Sequence, residues 1–121
     1  MKNFVQPGEF INAAATAPTT VASGDPVLVG QIPGVAVTAE GAGGNKATEC
    51  TIMTRGVFKL TVKAVDGSGS SAVQVGDQIT YTAADDPPLS KKAVGTGTIH
   101  FGYALGALTS GSKGSIPVLV K

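Results

Sequence analysis

The stretch Val57-Phe58-Lys59-Leu60-Thr61-Val62-Lys63-Ala64-Val65 decides the fold class of this chain. Its apolar residues alternate with lysine and threonine, which is the two-residue period of a strand. One face collects Phe58, Leu60, Val62 and Ala64, and the other collects Lys59, Thr61 and Lys63. A helix would instead group Phe58 with Thr61, Val62 and Val65, a poorer stripe rich in β-branched residues. The stretch therefore predicts a strand with one dry face and one wet face.

Three other segments alternate in the same way, and each predicts a further strand. Residues 78–82 place Ile79 and Tyr81 opposite polar side chains, and residues 115–121 align Ile116, Val118 and Val120. Residues 98–105 place on one face Ile99, Phe101, Tyr103 and Leu105. Because Pro117 cannot donate a ladder hydrogen bond, we expect the last strand to have a free edge there.

Two short apolar runs, residues 26–32 and 35–39, flank the pair Pro33-Gly34. Proline presets the first central φ of a type II turn and glycine supplies the positive second one. The pair therefore predicts a turn that brings two strands side by side.

Loops rich in glycine or proline separate these segments, at residues 41–45, 66–71, 85–88 and 110–114. No segment predicts a helix. Short strands punctuated in this way predict an all-β fold, a jelly-roll-like sandwich or a small barrel of short antiparallel strands. We expect one β domain over residues 21–121, preceded by an extended segment over residues 1–20.

A weak internal repeat runs through the chain. Ser23-Gly24-Asp25-Pro26 precedes a predicted strand, as does Val75-Gly76-Asp77-Gln78, and similar apolar pentads follow at residues 33–37 and 101–105. In both places Gly-Asp suits a turn. The repeat indicates either two similar β modules with one core or a coincidence in a glycine-rich chain.

The first twenty residues differ from the rest of the chain. Apolar residues flank Gln6-Pro7-Gly8-Glu9, and an uncharged stretch follows; the apolar residues are Phe4, Val5, Phe10 and Ile11. One interpretation is an arm that lies across a neighbouring subunit and makes an interface through these four residues. The other is an ordinary first strand of the chain's own sheet.

Composition narrows the range of partners. Charged residues make up 14% of the 121 residues, against about 25% in an average soluble domain, and the net charge is +1. Low charge favours association with other subunits. Lys91-Lys92 is the one basic doublet, so the sequence lacks the basic stripe that would predict nucleic-acid binding. No apolar run predicts a signal peptide or a membrane span, so we expect synthesis in a cytoplasm and no membrane role.

The sequence predicts no catalytic, metal or cofactor site. Cys50 and His100 are each the only residue of their type, which excludes an intramolecular disulfide and a histidine-rich metal cluster. We interpret Cys50 as a half-buried side chain and His100 as a surface or interface residue. The adjacent pair Asp85-Asp86 is too small a ligand set for calcium, and no Gly-x-Ser-x-Gly elbow occurs. We therefore expect no enzyme.

An ordered set of short motifs resembles a known family. The motifs are Met1-Lys2-Asn3-Phe4-Val5-Gln6-Pro7-Gly8, residues 21–30, residues 34–38, residues 55–60, Val75-Gly76-Asp77-Gln78 and Gly102-Tyr103-Ala104-Leu105. Together they are similar to the capsid cement, or decoration, proteins of tailed bacteriophages. The segment of residues 82–97 departs from the family by being longer than expected, which leaves its contacts open.

The resemblance implies a structural role in the virion. It implies a subunit on the outer surface of the capsid that binds the major capsid protein, bridges neighbouring copies and self-associates as a dimer or trimer. The alternative is a carbohydrate- or ligand-binding β module carried by the virion, although a chain with no tryptophan and two tyrosines offers few aromatic platforms for sugars.

Overall fold

The computed structural model describes residues 8–121, and that part of the chain is all-β, without a helix. The predicted fold class is therefore confirmed. Within the same residues no helix is long and apolar enough to span a bilayer. The strands are β1 (Phe10–Ala13), β2 (Pro26–Val29), β3 (Ile32–Ala36), β4 (Cys50–Met53), β5 (Gly56–Lys63), β6 (Val65–Asp66), β7 (Gly69–Ser70), β8 (Gln78–Thr82), β9 (Leu89–Ser90), β10 (Thr98–Ala104) and β11 (Lys113–Val120).

The strands form two main units. A four-stranded sheet has the order β1-β4-β3-β2, and a closed five-stranded barrel has the order β10-β11-β5-β9-β8. Strands β6 and β7 form a two-stranded hairpin. All pairs are antiparallel except β5 with β9, which is parallel.

Strand β5 has the predicted faces. Leu60, Val62 and Ala64 are buried, whereas Lys59, Thr61 and Lys63 are exposed. Period-two alternation identifies a half-buried strand well because the pleat sends successive side chains to opposite sides.

Strand β11 is not an edge strand, because it has a neighbouring strand of the barrel on each side. It pairs with β5 along its whole length and with β10 from Val118 to Val120. The carbonyl of Pro117 accepts a hydrogen bond from the Leu105 N–H at 2.9 Å, just beyond the end of the β10 ladder. The prediction of a free edge at Pro117 was therefore wrong, because β5 lies on one side of the proline and the Leu105 backbone lies on the other.

Strands β2 and β3 lie side by side, as expected, but the turn is at Gly30-Gln31 and not at Pro33-Gly34. Val29 pairs with Ile32 across that two-residue loop, and Gly30 has φ 62°. Gly34 pairs with Val27 inside the ladder. A Cβ on Gly34 would lie 2.9 Å from the Met53 carbonyl oxygen. Glycine is thus present at position 34 because β4 passes too close for any side chain, and not because of a turn.

In β10 the alternation of inward and outward side chains is interrupted halfway along the strand. Its register with β8 shifts between His100 and Gly102, which is a β-bulge. The bulge leaves Phe101 buried but turns Tyr103 and Leu105 outward. The expectation of one apolar face for these three residues with Ile99 was wrong, because one extra residue reverses the alternation after it.

Two hydrophobic cores hold the chain together. The larger core fills the barrel around Phe101, Leu60 and Ile79, and the smaller lies against the four-stranded sheet around Ile52 and Val27. Leu28 and Val35 from the small sheet belong to the larger core. The two units therefore share buried apolar surface.

The N-terminal segment forms one edge strand of the small sheet and then contacts the strand at the opposite edge. Residues 10–13 pair with β4, and Ala17 then bridges to Leu28 of β2 on the opposite edge. Alternate side chains of the segment turn inward, and they are Ile11, Ala13, Ala15 and Ala17. Small side chains suit this path, since they let the segment lie close to the sheet.

The two halves of the chain share one topology. Within residues 8–54 the sheet order is first, fourth, third, second strand (β1-β4-β3-β2), and within residues 55–121 the corresponding order is β5-β11-β10-β8. The registers agree as well: β3 and β4 pair Val35 with Met53, and β10 and β11 pair Tyr103 with Leu119. The weak internal repeat thus corresponds to two similar β modules.

The repeated Gly-Asp turns are built from the same bonds. The Ala22 N–H donates to the Asp25 carboxylate at 2.9 Å, and the Gln74 N–H donates to the Asp77 carboxylate at 2.8 Å. The next bond is also shared, from the Gly24 N–H to the Ala36 carbonyl and from the Gly76 N–H to the Ala104 carbonyl, both 2.7 Å. The short side chain of aspartate caps each turn by accepting from the backbone.

The second half contains an insertion, residues 82–97, which supplies β9. This strand lies between β5 and β8 and closes the barrel through pairs such as Val62 with Leu89 and Thr80 with Ser90. Leu89 is completely buried. The segment that is longer than the family resemblance suggested is therefore part of the core structure.

Candidate docking surface

Among the described residues, side chains with catalytic or metal-binding potential are scattered. No group of three or more histidine, cysteine, aspartate or glutamate residues there could hold a metal ion. His100 lies on the outer face, with Nδ1 2.7 Å from Gln78 Nε2 and Nε2 2.6 Å from the Lys121 carbonyl oxygen. Its ring also lies 5.3 Å from that of Tyr103. These contacts fix the ring in a surface network.

Cys50 is fully buried in the small core, deeper than expected. Burial, followed by the nearby Glu40 carboxylate, raises the pKa of the thiol. A raised pKa disfavours the reactive thiolate, so the position of Cys50 fits packing.

The aspartates with defined contacts serve local structure. Besides accepting from Gln74, Asp77 lies 3.2 Å from the Lys91 ammonium. The pKa of Asp77 is lowered mainly by the backbone bond from Gln74; burial opposes this shift, and the hydrogen bond and charge of Lys91 add to it. Asp85 forms an ion pair with Lys92 within the insertion. These carboxylates hold turns and loops in place.

The four interface candidates fall into different places. Phe4 and Val5 lie outside the described residues. Phe10 is the first residue of β1 and its side chain is 47% exposed, whereas Ile11 packs against the small core of its own sheet. The structure therefore places neighbouring residues of β1 in opposite environments, one facing solvent and one facing inward.

Strand β1 is an outer strand of its sheet. Its inner side pairs with β4, and no strand of the described residues pairs with its outer side. An open strand edge carries unpaired N–H and C=O groups that can accept another strand. Phe10 lies on this edge strand, so an exposed aromatic ring and an open edge occur together.

A second apolar surface lies on the outside of the barrel. Leu119 is the cross-strand partner of Val57 on one side and of Tyr103 on the other. Val57 is 54% exposed and Tyr103 is 37% exposed. The sequence pattern did not predict this row, because the alternation in β10 placed Tyr103 in the core and because Val57 shares its face of β5 with Arg55 and Lys59.

The open edge and the outer barrel face are close to one another. A shallow depression of about 430 Å³ lies between them, lined by Glu9 and Met53 on one side and by residues 55–56 and 119–121 on the other. The start of β1 and the exposed apolar row thus border one region of the surface.

Comparison with known proteins identifies a family for the chain. The family described as phage cement protein matches residues 5–121. No curated protein and no solved structure matches the chain. The family match covers nearly the whole sequence, including both repeated modules and the insertion, and it implies a structural role in the virion capsid. The chain therefore belongs to the phage cement protein family.

Proposed function

We propose that this chain is a capsid cement subunit that attaches to the outer surface of the head, binds the major capsid protein and bridges neighbouring copies of it. The observation that carries the proposal is the family match over residues 5–121. The exposed apolar side chains and the open edge of β1 support it, because a bridging subunit needs surfaces for other proteins.

The physical role follows from the load on the shell. Packaged DNA pushes outward, and a subunit bound to two neighbouring capsid proteins resists their separation. Repetition around the shell makes the modest affinity of each contact multivalent, provided that one copy spans both neighbours. Self-association of the cement subunits around the symmetry axes of the shell would extend the same network.

Within this proposal the N-terminal segment makes one of the contacts. Phe4, Val5 and Phe10 are the apolar side chains that reach the neighbouring subunit. Ile11 has a supporting part, because its packing on the small core holds β1 in position. The open edge of β1 offers backbone groups to an extended segment of the partner.

Phage heads assembled without this chain provide the test. Purified protein should sediment with such heads, saturate at a fixed number of copies for each capsid protein, and raise the temperature at which the heads release their DNA. Failure of the folded protein to bind these heads would overturn the proposal.

Two neighbouring substitutions separate contact from folding. Phe10→Ser should weaken binding to heads about tenfold with little change in melting temperature, since hot-spot aromatics carry much of the binding energy. Ile11→Ser should lower the melting temperature, because it removes a side chain from the small core. Equal thermal destabilisation by both variants, with no specific loss of binding for Phe10→Ser, would assign β1 a purely structural role.

A further inference from the structure

The outer face of the β5–β11 ladder carries several positive charges, whose residues are far apart in the sequence. Outward positions along and beside these two strands contain five of the nine lysine and arginine residues of the chain, namely Arg55, Lys59, Lys63, Lys113 and Lys121. Lys63 pairs directly with Lys113. Residues 55–63 and 113–121 contain no aspartate or glutamate. We call this surface the basic ladder face.

Among the described residues none of these five cations forms an ion pair, although Glu9 lines a depression with Arg55 and Lys121, and Asp85 and Asp86 line another with Lys63. The ion pairs among the described residues join Lys91 to Asp77 and Lys92 to Asp85, and both lie elsewhere. Clustered like charges repel one another and destabilise an isolated sheet face. An acidic surface on a partner would neutralise these charges.

The internal duplication shows that the fold does not require these charges. The position equivalent to Lys59 in the first half is Asn12, whose side chain accepts a 2.8 Å hydrogen bond from the Thr51 hydroxyl. The position equivalent to Val57 is Phe10, opposite Met53. Over the four residue pairs that the two ladders share, the first half has no charged side chain and the second half has Lys59.

The basic ladder face also contains the exposed apolar row of Val57, Leu119 and Tyr103. Apolar side chains bordered by charge are typical of protein–protein interfaces, in which a dry centre is surrounded by a polar rim. A two-fold contact of the face with itself would place lysines against lysines, which disfavours a second copy of this chain as the occupant.

We propose that the basic ladder face docks on an acidic surface of the capsid proteins of the head, with the apolar row at the centre of the contact. This inference rests on the proposed function and adds the chemistry of the partner surface. Complementary charge steers the encounter and sets its register. The protein surface is favoured over nucleic acid because the face combines its cations with a dry row and because the chain as a whole has a net charge of +1.

A pair of charge-matched substitutions tests the proposal. Lys59→Glu and Lys46→Glu change the net charge equally, but Lys59 lies on the basic ladder face and Lys46 lies in an exposed loop of the first half. Binding to heads assembled without this chain should weaken at least about tenfold for Lys59→Glu and by less than about twofold for Lys46→Glu. Neither variant should melt below the wild-type temperature, since both side chains are exposed and Lys59→Glu removes a charge from the like-charged cluster.

Salt and DNA complete the experiment. Wild-type affinity for the heads should fall between about 50 mM and about 500 mM salt, and the fall should be smaller for Lys59→Glu. If wild type binds the heads and the two variants bind equally well, the basic ladder face is not the contact and the cement role stands. If wild type fails to bind, the proposed function itself fails. Tight binding of wild type to labelled duplex DNA, lost in Lys59→Glu, would overturn the assignment in favour of nucleic acid.

Discussion

Gly102 lies at a point of the barrel that has no room for a side chain. It lies in β10 directly after the bulge. A Cβ at this position would collide with the Leu119 carbonyl group and would lie 2.9 Å from the carbonyl carbon. The obstruction is backbone, which cannot rotate aside as a side chain can. Gly34 has the equivalent place in the first half, next to the carbonyl of Met53. The same close approach therefore recurs in both modules.

We expect Gly102→Ala to lower the free energy of unfolding by about 2–3 kcal/mol, because β10 and β11 must separate to admit the methyl group. The measurement is urea denaturation. Gly95→Ala is the matched control, since a Cβ there meets nothing within 4 Å, and it should change stability by less than about 0.5 kcal/mol. Equal effects of the two substitutions would show that space at Gly102 is not limiting.

At the residue scale, the sequence predicted which side chains are buried better than it predicted why a glycine is present at a given position. Alternation identified the buried set of β5 and β11, yet Pro33-Gly34 was interpreted as a turn when Gly34 is a point of close approach. Both interpretations use the same property of glycine, and only the neighbouring strand decides between them. The lysine cluster was missed for a related reason: cations four or eight residues apart do not form a run in sequence, but a strand places residues with even spacing on one face.

Among the elements, strands with strict alternation were predictable and their irregularities were not. The bulge in β10 inserts one residue and sends Tyr103 outward, which created the apolar row of the basic ladder face. Strand β9 is two residues long, and its pairing with β5 is a long-range contact that no local pattern encodes. The proposed docking surface of this chain thus depends on a departure from regular structure.

The turn that precedes β8 gives a pH-dependent prediction. The Gln74 N–H and the Lys91 ammonium lower the pKa of Asp77 below its usual value. A carboxylate with a lowered folded pKa stabilises the fold at pH values above its unfolded pKa of about 3.9, and this contribution is lost as the pH falls through the folded pKa. Asp77→Asn should therefore lower the melting temperature at pH 7, and the difference from wild type should vanish in acid.

Asp86→Asn is the control for charge. Asp86 is exposed, and its substitution should leave the melting temperature near that of wild type across the same pH range. If the Asp77→Asn difference persisted at pH values below the folded pKa, the turn would depend on shape and not on the carboxylate charge. The equivalent Asp25 has the same backbone bond without a lysine partner among the described ion pairs.

At the scale of the whole molecule, the two modules should unfold together. Leu28 and Val35 of the first half are buried in the core of the second, so opening one module exposes apolar surface of the other. The chain provides separate probes for the halves, since both tyrosines, Tyr81 and Tyr103, lie in the second half and the single cysteine, Cys50, is fully buried in the first. Tyrosine fluorescence and thiol labelling therefore report on different modules of one chain.

We expect the urea midpoint from tyrosine fluorescence to coincide with the midpoint from labelling of Cys50, which is the behaviour of a two-state domain. Leu28→Ala should lower both midpoints equally, by an amount equivalent to about 2–5 kcal/mol, although the residue belongs to the module that contains no tyrosine. Leu105→Ala, at an exposed position, should move neither. Labelling of Cys50 at a clearly lower urea concentration than the loss of tyrosine signal would mean that the first module opens alone. The shared core would then be too weak to transmit load between the two halves, as the proposed bridging role requires.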